Sequence, residues 1–515
     1  MVLSFIKKHS LSVFCGLVIC VYLISIMIIN FSGIPTFYST DMYSDMCYAQ
    51  EVWEHKSIFP EVWVFGNQFY VVATPVLAAL FYGLFGNAAL AMGMASTLMG
   101  IFVLLSFDWM LKAVFPKVQS RLLGAAVFMS LMLSYGGPVQ ETDGWQLLFT
   151  MCSFYACYAI TAFLAFGCYI RGSKAPVPAI ILCCIMAFCT GMQSLRQTAI
   201  MLCPLIGIEF LCMLRRSLKS EKLWNHRTTL AGLISLTNLL GLLFIRMMHI
   251  PQVEIFGGTS PIPVKKALDD AYIAFKNAFS MIASTDKITS TLLLVIGVFC
   301  VLFLSYKFYT DKKPVGALCI CLLGTSIAGI LFLDIFTTMN IRNIYYFLIY
   351  PLIAFVVVFL YHYGGKWMRC LLAALLIVIF ISGAEDNLSP VLQQAKQGNT
   401  YGEVVAFLEE NGITTVFSGW NRAENIAIAS GDKIKAGFWD VARKPFRPVN
   451  YLCNPEVFDV APEKCAYIFF VKAEAQYGEE AAKKENIDFT LLKHFPGQSV
   501  YIYVSSVNIM AYFNK

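Results

Sequence analysis

Residues 69–86, FYVVATPVLAALFYGLFG, decide how the chain is threaded through a membrane. They are apolar enough for a span, yet Pro75, Gly83 and Gly86 interrupt them. If they cross the bilayer, every later basic loop moves to the outer face. If they lie at the outer interface, with their aromatic rings at headgroup depth, the basic loops collect on one side, as the positive-inside tendency requires. The interfacial reading is the expectation; a true span with a compensating miscount elsewhere is the alternative.

Around this segment the chain is strongly apolar. Of 515 residues, 58% are apolar and 14% charged, against about 25% charge in an average soluble protein. That balance excludes an ordinary soluble enzyme and, with so much apolar surface to bury, a disordered chain. A hydrocarbon core of about 30 Å takes roughly 20 apolar residues per helix. Such stretches fall near 11–30, 88–109, 121–137, 146–170, 177–193, 197–214, 228–248, 289–308, 314–334, 343–363 and 367–383, eleven in all. The first follows Lys7 and Lys8 without a small-residue cleavage site, and reads as a retained anchor rather than a signal peptide.

Lys/Arg placement sets the orientation. With the N-terminus cytoplasmic, the inner loops and adjoining helix ends hold 17 basic residues, with only Asp108, Glu221 and Asp311 as acids nearby. The outer segments 31–87, 138–145, 194–196, 249–288 and 335–342 hold most of the acids of the membrane half. An odd number of spans puts the tail outside. Residues 1–383 carry 25 basic and 16 acidic side chains, residues 384–515 carry 13 and 16. Two territories follow: an α-helical polytopic membrane domain, 1–383, and a small extracytoplasmic α/β domain, 384–515.

Within the tail, residues 384–399 are polar and loop-like. YGEVVAFLEENG predicts a helix ended by Gly412, ITTVFSG a short strand, and 421–430 another helix. AYIFFVKA (466–473) reads as a buried strand, EAQYGEEAAKKEN as a helix, and FTLLKHF with QSVYIYVSS as two final strands. No phosphate loop or nucleophile elbow is present, which argues for docking or lid work more than chemistry.

Of 17 cysteines, 14 fall in the predicted spans or at their inner ends, as small buried hydrophobes. Cys453 and Cys465, in the exported tail, allow a disulfide in an oxidising compartment; two free thiols are the equal alternative. No metal spacing such as CxxC or HExxH appears, and nothing in the pattern points to nucleic acid.

Function in a membrane protein is best sought where ionisable groups gather at the membrane face. The first outer loop holds Asp41, Asp45, Glu51, Glu54 and Glu61 among tyrosines and tryptophans. Asp41 and Asp45 are four residues apart and share one face of a helix. Their mutual repulsion raises the pKa of one of them, an arrangement suited to a general base. The second outer loop places Glu141 and Asp143 beside Trp145, and the third puts Arg196 in a tight connection, calling for an anionic partner such as a lipid phosphate or Asp41. Arg342 lies in the fifth, and segment 249–288 brings His249, Lys265 and Lys266 ahead of an amphipathic stretch. Singly, each of these is explained by solvation or structure; their common face is the functional signal.

This order of features resembles the GT-C superfamily of polytopic glycosyltransferases, which use polyprenyl-phosphate-linked sugars. The resemblance runs over TDMYSDMCYAQ, the interfacial ATPVLAALFYGLFGNAALAMGMASTLMG and the ETD turn, roughly residues 1–200, with topology alone matching beyond. It implies an acid at Asp41, with Asp45 as the alternate, and a second acidic site at Glu141 or Asp143. Arg196, Arg342 and the Lys265/Lys266 pair would hold the donor phosphate. The DM here departs from the DE or DD pair of many members. The implied reaction is an inverting transfer from a polyprenyl-phosphate sugar to a glycan, lipid or protein acceptor of the cell envelope. Some relatives require a divalent cation, for which this chain has no signature; no cofactor is expected. The compact loops suit a bacterial plasma membrane. A multi-pass transporter or flippase of lipid-linked saccharide, and a non-catalytic polysaccharide assembly protein, are the rival readings.

Overall fold

The computed structural model describes residues 2–33, 40–66, 68–134, 148–150, 152–252, 260–283, 287–310, 315–337, 343–396, 400–419, 423–439 and 446–513. Each of the eleven apolar stretches coincides with a helix. These are α1 (Val2–Ile28), then, after α2 (Thr40–His55) and α3 (Thr74–Phe85), α4 (Ala88–Lys112), α5 (Val118–Ser134) and α6 (Ala156–Arg171). They continue as α7 (Val177–Gln193), α8 (Cys203–Leu218), α9 (His226–Met247) and, beyond α10 (Val264–Ala283), α11 (Lys287–Thr310), α12 (Val315–Phe336), α13 (Ile349–Tyr363) and α14 (Lys366–Gly383). Among the described residues, six helical runs are long and apolar enough to cross a membrane, and α5, α7, α11 and α13 supply shorter apolar helices. The molecule is a polytopic helical membrane protein. Its α6 is buried on nearly every side, with Leu164 and Arg171 the partly exposed exceptions.

The deciding segment forms α3. Its 12 residues make about 18 Å of helix at about 1.5 Å per residue, too short for a hydrocarbon core of about 30 Å. Pro75 sits in the first turn, where its missing N–H costs nothing. Gly86, at φ 64°, closes the helix by donating to the Tyr82 carbonyl. The helix packs on α2 and α4. Trp53 of α2 lies so close over Gly83 that a Cβ there would sit 2.3 Å from the ring.

Two boundaries differ from the sequence expectation. The span expected at 146–170 has its helix only from Ala156, because the described residues ahead of it, 148–150 and 152–155, are turns and bends and Ser153 takes a left-handed φ of 43°. The expected polar loop at 384–399 is largely helical: a π-helical run Ala384–Leu388 leads into α15 (Ser389–Lys396). Its Leu388, Val391 and Ala395 are buried, and α15 packs against the π-helical turn Ile29–Gly33 that ends α1.

The C-terminal region folds as α16 (Gly402–Glu410), β1 (Thr415–Gly419), α17 (Glu424–Ala429), β2 (Lys435–Trp439), β3 (Cys465–Phe469), α18 (Lys472–Lys484), β4 (Thr490–Phe495), β5 (Val500–Val504) and α19 (Ile509–Phe513). The sheet order is β2-β1-β3-β5-β4; β1 runs parallel to β2 and β3, and β5 antiparallel to β3 and β4. β1 and β3 are buried throughout, as central strands of a covered sheet should be. β2 has no counterpart in the sequence expectation, since KAGFW is short and holds a glycine. Its edge is covered by α2: the Ala436 N–H donates to the Tyr43 hydroxyl at 2.8 Å. The Asp432 carboxylate accepts from Ala88 N–H at the start of α4 at 3.0 Å. Asn454 donates to Glu51 of α2 at 2.9 Å.

Candidate functional site

Helix α2 begins with Thr40, and its first-turn acid is Asp41, placed where the helix dipole favours a carboxylate. Asp41 is exposed, whereas Asp45, one turn on and on the same face, is only 2% exposed. Tyr70 and Cys152 lie against the Asp45 carboxyl, and its Oδ1 is buried without a hydrogen-bond partner. Burial pushes the Asp45 pKa up to about 8; the Tyr70 hydroxyl works against that rise and the Asp41 charge adds to it. Two carboxylates one turn apart thus occupy opposite environments, one wet and one dry.

Tyr70 carries the site onward. Its hydroxyl faces both the Asp45 carboxyl and the Gln68 side chain. The Gln68 Oε1 accepts from Arg196 Nη1 at 2.7 Å and from the Tyr158 hydroxyl at 3.5 Å. With its oxygen so engaged, the Gln68 amide has its NH₂ left for Tyr70. A line of polar side chains therefore runs Asp45, Tyr70, Gln68, Arg196, with Gln68 hydrogen-bonded to the guanidinium.

This geometry is imposed by the C-terminal end of α7 gripping residues 69–72. The Gln193 Oε1 accepts from the N–H groups of Val71 and Val72 at 3.1 and 2.6 Å, and the Gln193 carbonyl accepts from Phe69 N–H at 3.0 Å. Beneath, Tyr48 packs on Trp63, Phe65 and Tyr70 with ring centroids 4.9–5.6 Å apart. Its hydroxyl donates to the Ile58 carbonyl at 2.6 Å.

Arg196 is half-buried between tyrosines, its guanidinium 5.5 Å from the Tyr155 ring and 5.4 Å from Tyr345. Among the described residues it forms no ion pair with a carboxylate. Arg196 is thus not ion-paired with Asp41, and the polar side chain its guanidinium bonds is Gln68. A guanidinium that keeps its charge, offers five donors and has a neutral amide as its polar partner is built to receive an anion.

Of the remaining sequence candidates, Glu141, Asp143 and Arg342 lie outside the described residues. Tyr345, in the 3₁₀ turn Asn343–Tyr346 ahead of α13, reaches the Arg196 guanidinium. Lys265 and Lys266 are exposed at the start of α10. That helix buries Ala267 and Ala274 beside Ile335 of α12, and among the described residues neither lysine bonds to Arg196 or Asp45. The Cys453–Cys465 disulfide is not formed. Both are free thiols, Cys453 donating to the Val449 carbonyl and Cys465 to that of Pro462. No group of three or more His, Cys, Asp or Glu that could hold a metal ion occurs among the described residues.

The fold is similar to that of the crystal structure of ArnT from Cupriavidus metallidurans bound to undecaprenyl phosphate. The TM-score is 0.55 at 9% sequence identity, covering 96% of this chain and 98% of that one. The fold is that of ArnT, a GT-C fold. The apo structure of the same ArnT aligns over the same shares at 11% identity and a TM-score of 0.45. No family model and no curated relative matches the sequence.

Sequence reasoning missed Gln68, Tyr70, Tyr155, Tyr158, Gln193 and Tyr345. The tyrosines read as interfacial belt residues, and neutral amides in loops carry no pattern. The available signal was Arg196 itself, a cation needing company on the outer side.

Proposed function

We propose that this chain is a membrane glycosyltransferase moving a sugar from a polyprenyl-phosphate donor to an acceptor of the cell envelope at the outer face. The observation that supports it best is the polar chain from the Asp41/Asp45 face of α2 to Arg196, in a fold shared with a protein crystallised with undecaprenyl phosphate. Arg196, with Arg342 and the Lys265/Lys266 pair as further cations, binds the donor phosphate. Asp41 is the base. It takes the proton of an acceptor hydroxyl, the oxygen attacks the anomeric carbon, and the carbon–oxygen bond to phosphate breaks. The electron pair leaves with polyprenyl phosphate and the configuration inverts. Asp45, neutral near pH 7, holds Tyr70 in place. A positioned base contributes about 10²–10⁴-fold, and stabilising the leaving phosphate is a term of comparable or larger size. Glu141 or Asp143 supplies the second acid.

In the same reading the N-terminus is cytoplasmic, and residues 384–515 form an exported domain resting on α2. A transporter would place ionisable groups along a mid-membrane path. Glu209, a candidate for that role, is instead consumed structurally: Tyr169 and Thr228 each donate to it at 2.6 Å, and Arg216 pairs with it.

Membranes containing the protein, incubated with labelled polyprenyl-phosphate hexoses and pentoses, should transfer label from at least one donor to a cell-envelope component. Label that crosses the bilayer while staying on its lipid would support the flippase instead, and no change in any donor would support the scaffold.

A further inference from the structure

Helix α2 has a second functional face. At 100° per residue, Tyr43, Cys47 and Gln50 point away from Asp41 and Asp45. On their side, α2, the β2 edge and residues 451–460 enclose a cavity of about 360 Å³, within the usual range for ligand sites of about 300–1,000 Å³. The cavity is preformed, its walls tied by the Ala436–Tyr43 and Asn454–Glu51 hydrogen bonds and by Val64 N–H donating to the Cys453 carbonyl at 3.0 Å.

The lining says what it would take. Tyr43, Trp63 and Phe438 offer aromatic surface. Glu51, Asp432 and Glu456 are opposed by Lys433 and Lys435, so there is no excess of positive charge and an anion such as a phosphate is not favoured. Lys433 is already paired with Glu409, while Lys435 has no ion pair among the described residues. Trp63 is 1% exposed and its indole N–H has no acceptor among the described residues. A buried donor without a partner is unusual, and the oxygen of a ligand hydroxyl would satisfy it. Donors and acceptors mixed in near-neutral balance beside aromatic surface match a molecule of many hydroxyls, each able to donate and accept.

We propose that this cavity binds a neutral saccharide, namely a part of a glycan acceptor remote from the hydroxyl that reacts. The assignment to an acceptor rests on the transferase reading above, while the binding itself does not. Helix α2 then separates two subsites, with the reacting groups on one face and a glycan-holding cleft against the C-terminal sheet on the other.

The test is direct binding to the full chain in a sugar-free detergent, by saturation-transfer NMR and calorimetry with maltotetraose, cellotetraose and chitotetraose, without donor. At least one should bind. Trp63→Phe, which keeps a ring and removes the N–H, and Lys435→Met, at the exposed first residue of β2, should each weaken binding about three- to tenfold. Glu480→Gln, on the exposed face of α18, should bind as wild type. If none of the three sugars binds, or both cavity variants bind as wild type, the proposal is overturned. Failure of the transferase reading alone looks different: sugar binding persists and depends on Trp63 and Lys435, yet no labelled donor is ever consumed.

Discussion

Asp45→Asn should make the protein more stable near neutral pH and flatten its stability against pH. The Asp45 carboxyl has an ordinary pKa of 3.8, raised in the fold to about 8, and burial is the principal cause. Between those values the folded state holds a proton that the unfolded state has lost. The native contribution is therefore fully present below about pH 4 and is lost as pH rises toward 8. The slope for one proton is about 1.4 kcal/mol per pH unit. At pH 7 the difference of roughly three units corresponds to about 4 kcal/mol. Asparagine does not titrate, and its carbonyl oxygen still offers an acceptor to Tyr70, so the variant escapes most of that penalty. It gives back about 1 kcal/mol where the hydrogen bonding is less well matched. A net gain of about 2–4 kcal/mol at pH 7 follows, shrinking to nothing or reversing near pH 4.

The assay is thermal unfolding in detergent from pH 4.5 to 8.5, followed by a dye that reacts with buried thiols as they become exposed. Wild type should lose stability across the window by more than the variant, and the two curves should approach each other at the acid end. Parallel curves, or a variant less stable at every pH, would refute the claim that a buried, protonated carboxyl sits at this position.

Asp41→Asn should lower sugar transfer by at least 10²-fold with membrane insertion unchanged; full activity in labelled-donor assays would sink its assignment as the base. Arg196→Ala should raise the KM for the polyprenyl-phosphate donor more than that for the acceptor, and an unchanged donor KM removes the phosphate-site proposal. Glu209→Ala leaves Arg216, itself mostly buried, without its carboxylate, and should cost about 3–5 kcal/mol of stability; unfolding at the wild-type temperature would show that the cluster of Tyr169, Arg216 and Thr228 is not structural.

What could be read from the sequence was what apolar length and charge sign encode. Each of the eleven stretches holds a helix, α3 is only 12 residues long, and the tail carries a sheet, because apolar length and burial periodicity are local properties of the chain. Where a local pattern was overruled, tertiary packing did it. Residues 384–399 look polar, yet Leu388, Val391 and Ala395 find a buried surface at the end of α1. The span expected at 146–170 starts late because the backbone turns at Ser153 to bring Cys152 against Asp45.

The site divides the same way. The four-residue spacing of Asp41 and Asp45 announces that one carboxylate will be hard to ionise. It attributes this to their mutual repulsion, and it does not say which one. In the fold, dehydration outweighs repulsion, and it falls on Asp45 alone, because Tyr70 and Cys152 come from distant segments to close over that position while Asp41 stays open. Those segments are held by groups with no charge: Gln193 grips residues 69–72, and Gln68 joins Tyr70 to Arg196. Charged residues mark a site in sequence because they are scarce in such a chain. The neutral amides and phenols that connect them are not scarce, and only convergence of distant connections gives them a role. If that account is right, Gln68→Leu should separate the two ends of the site: donor binding through Arg196 should change while the pH dependence of stability set by Asp45 stays. Loss of both together would mean that Gln68 shapes the loop rather than linking the charges.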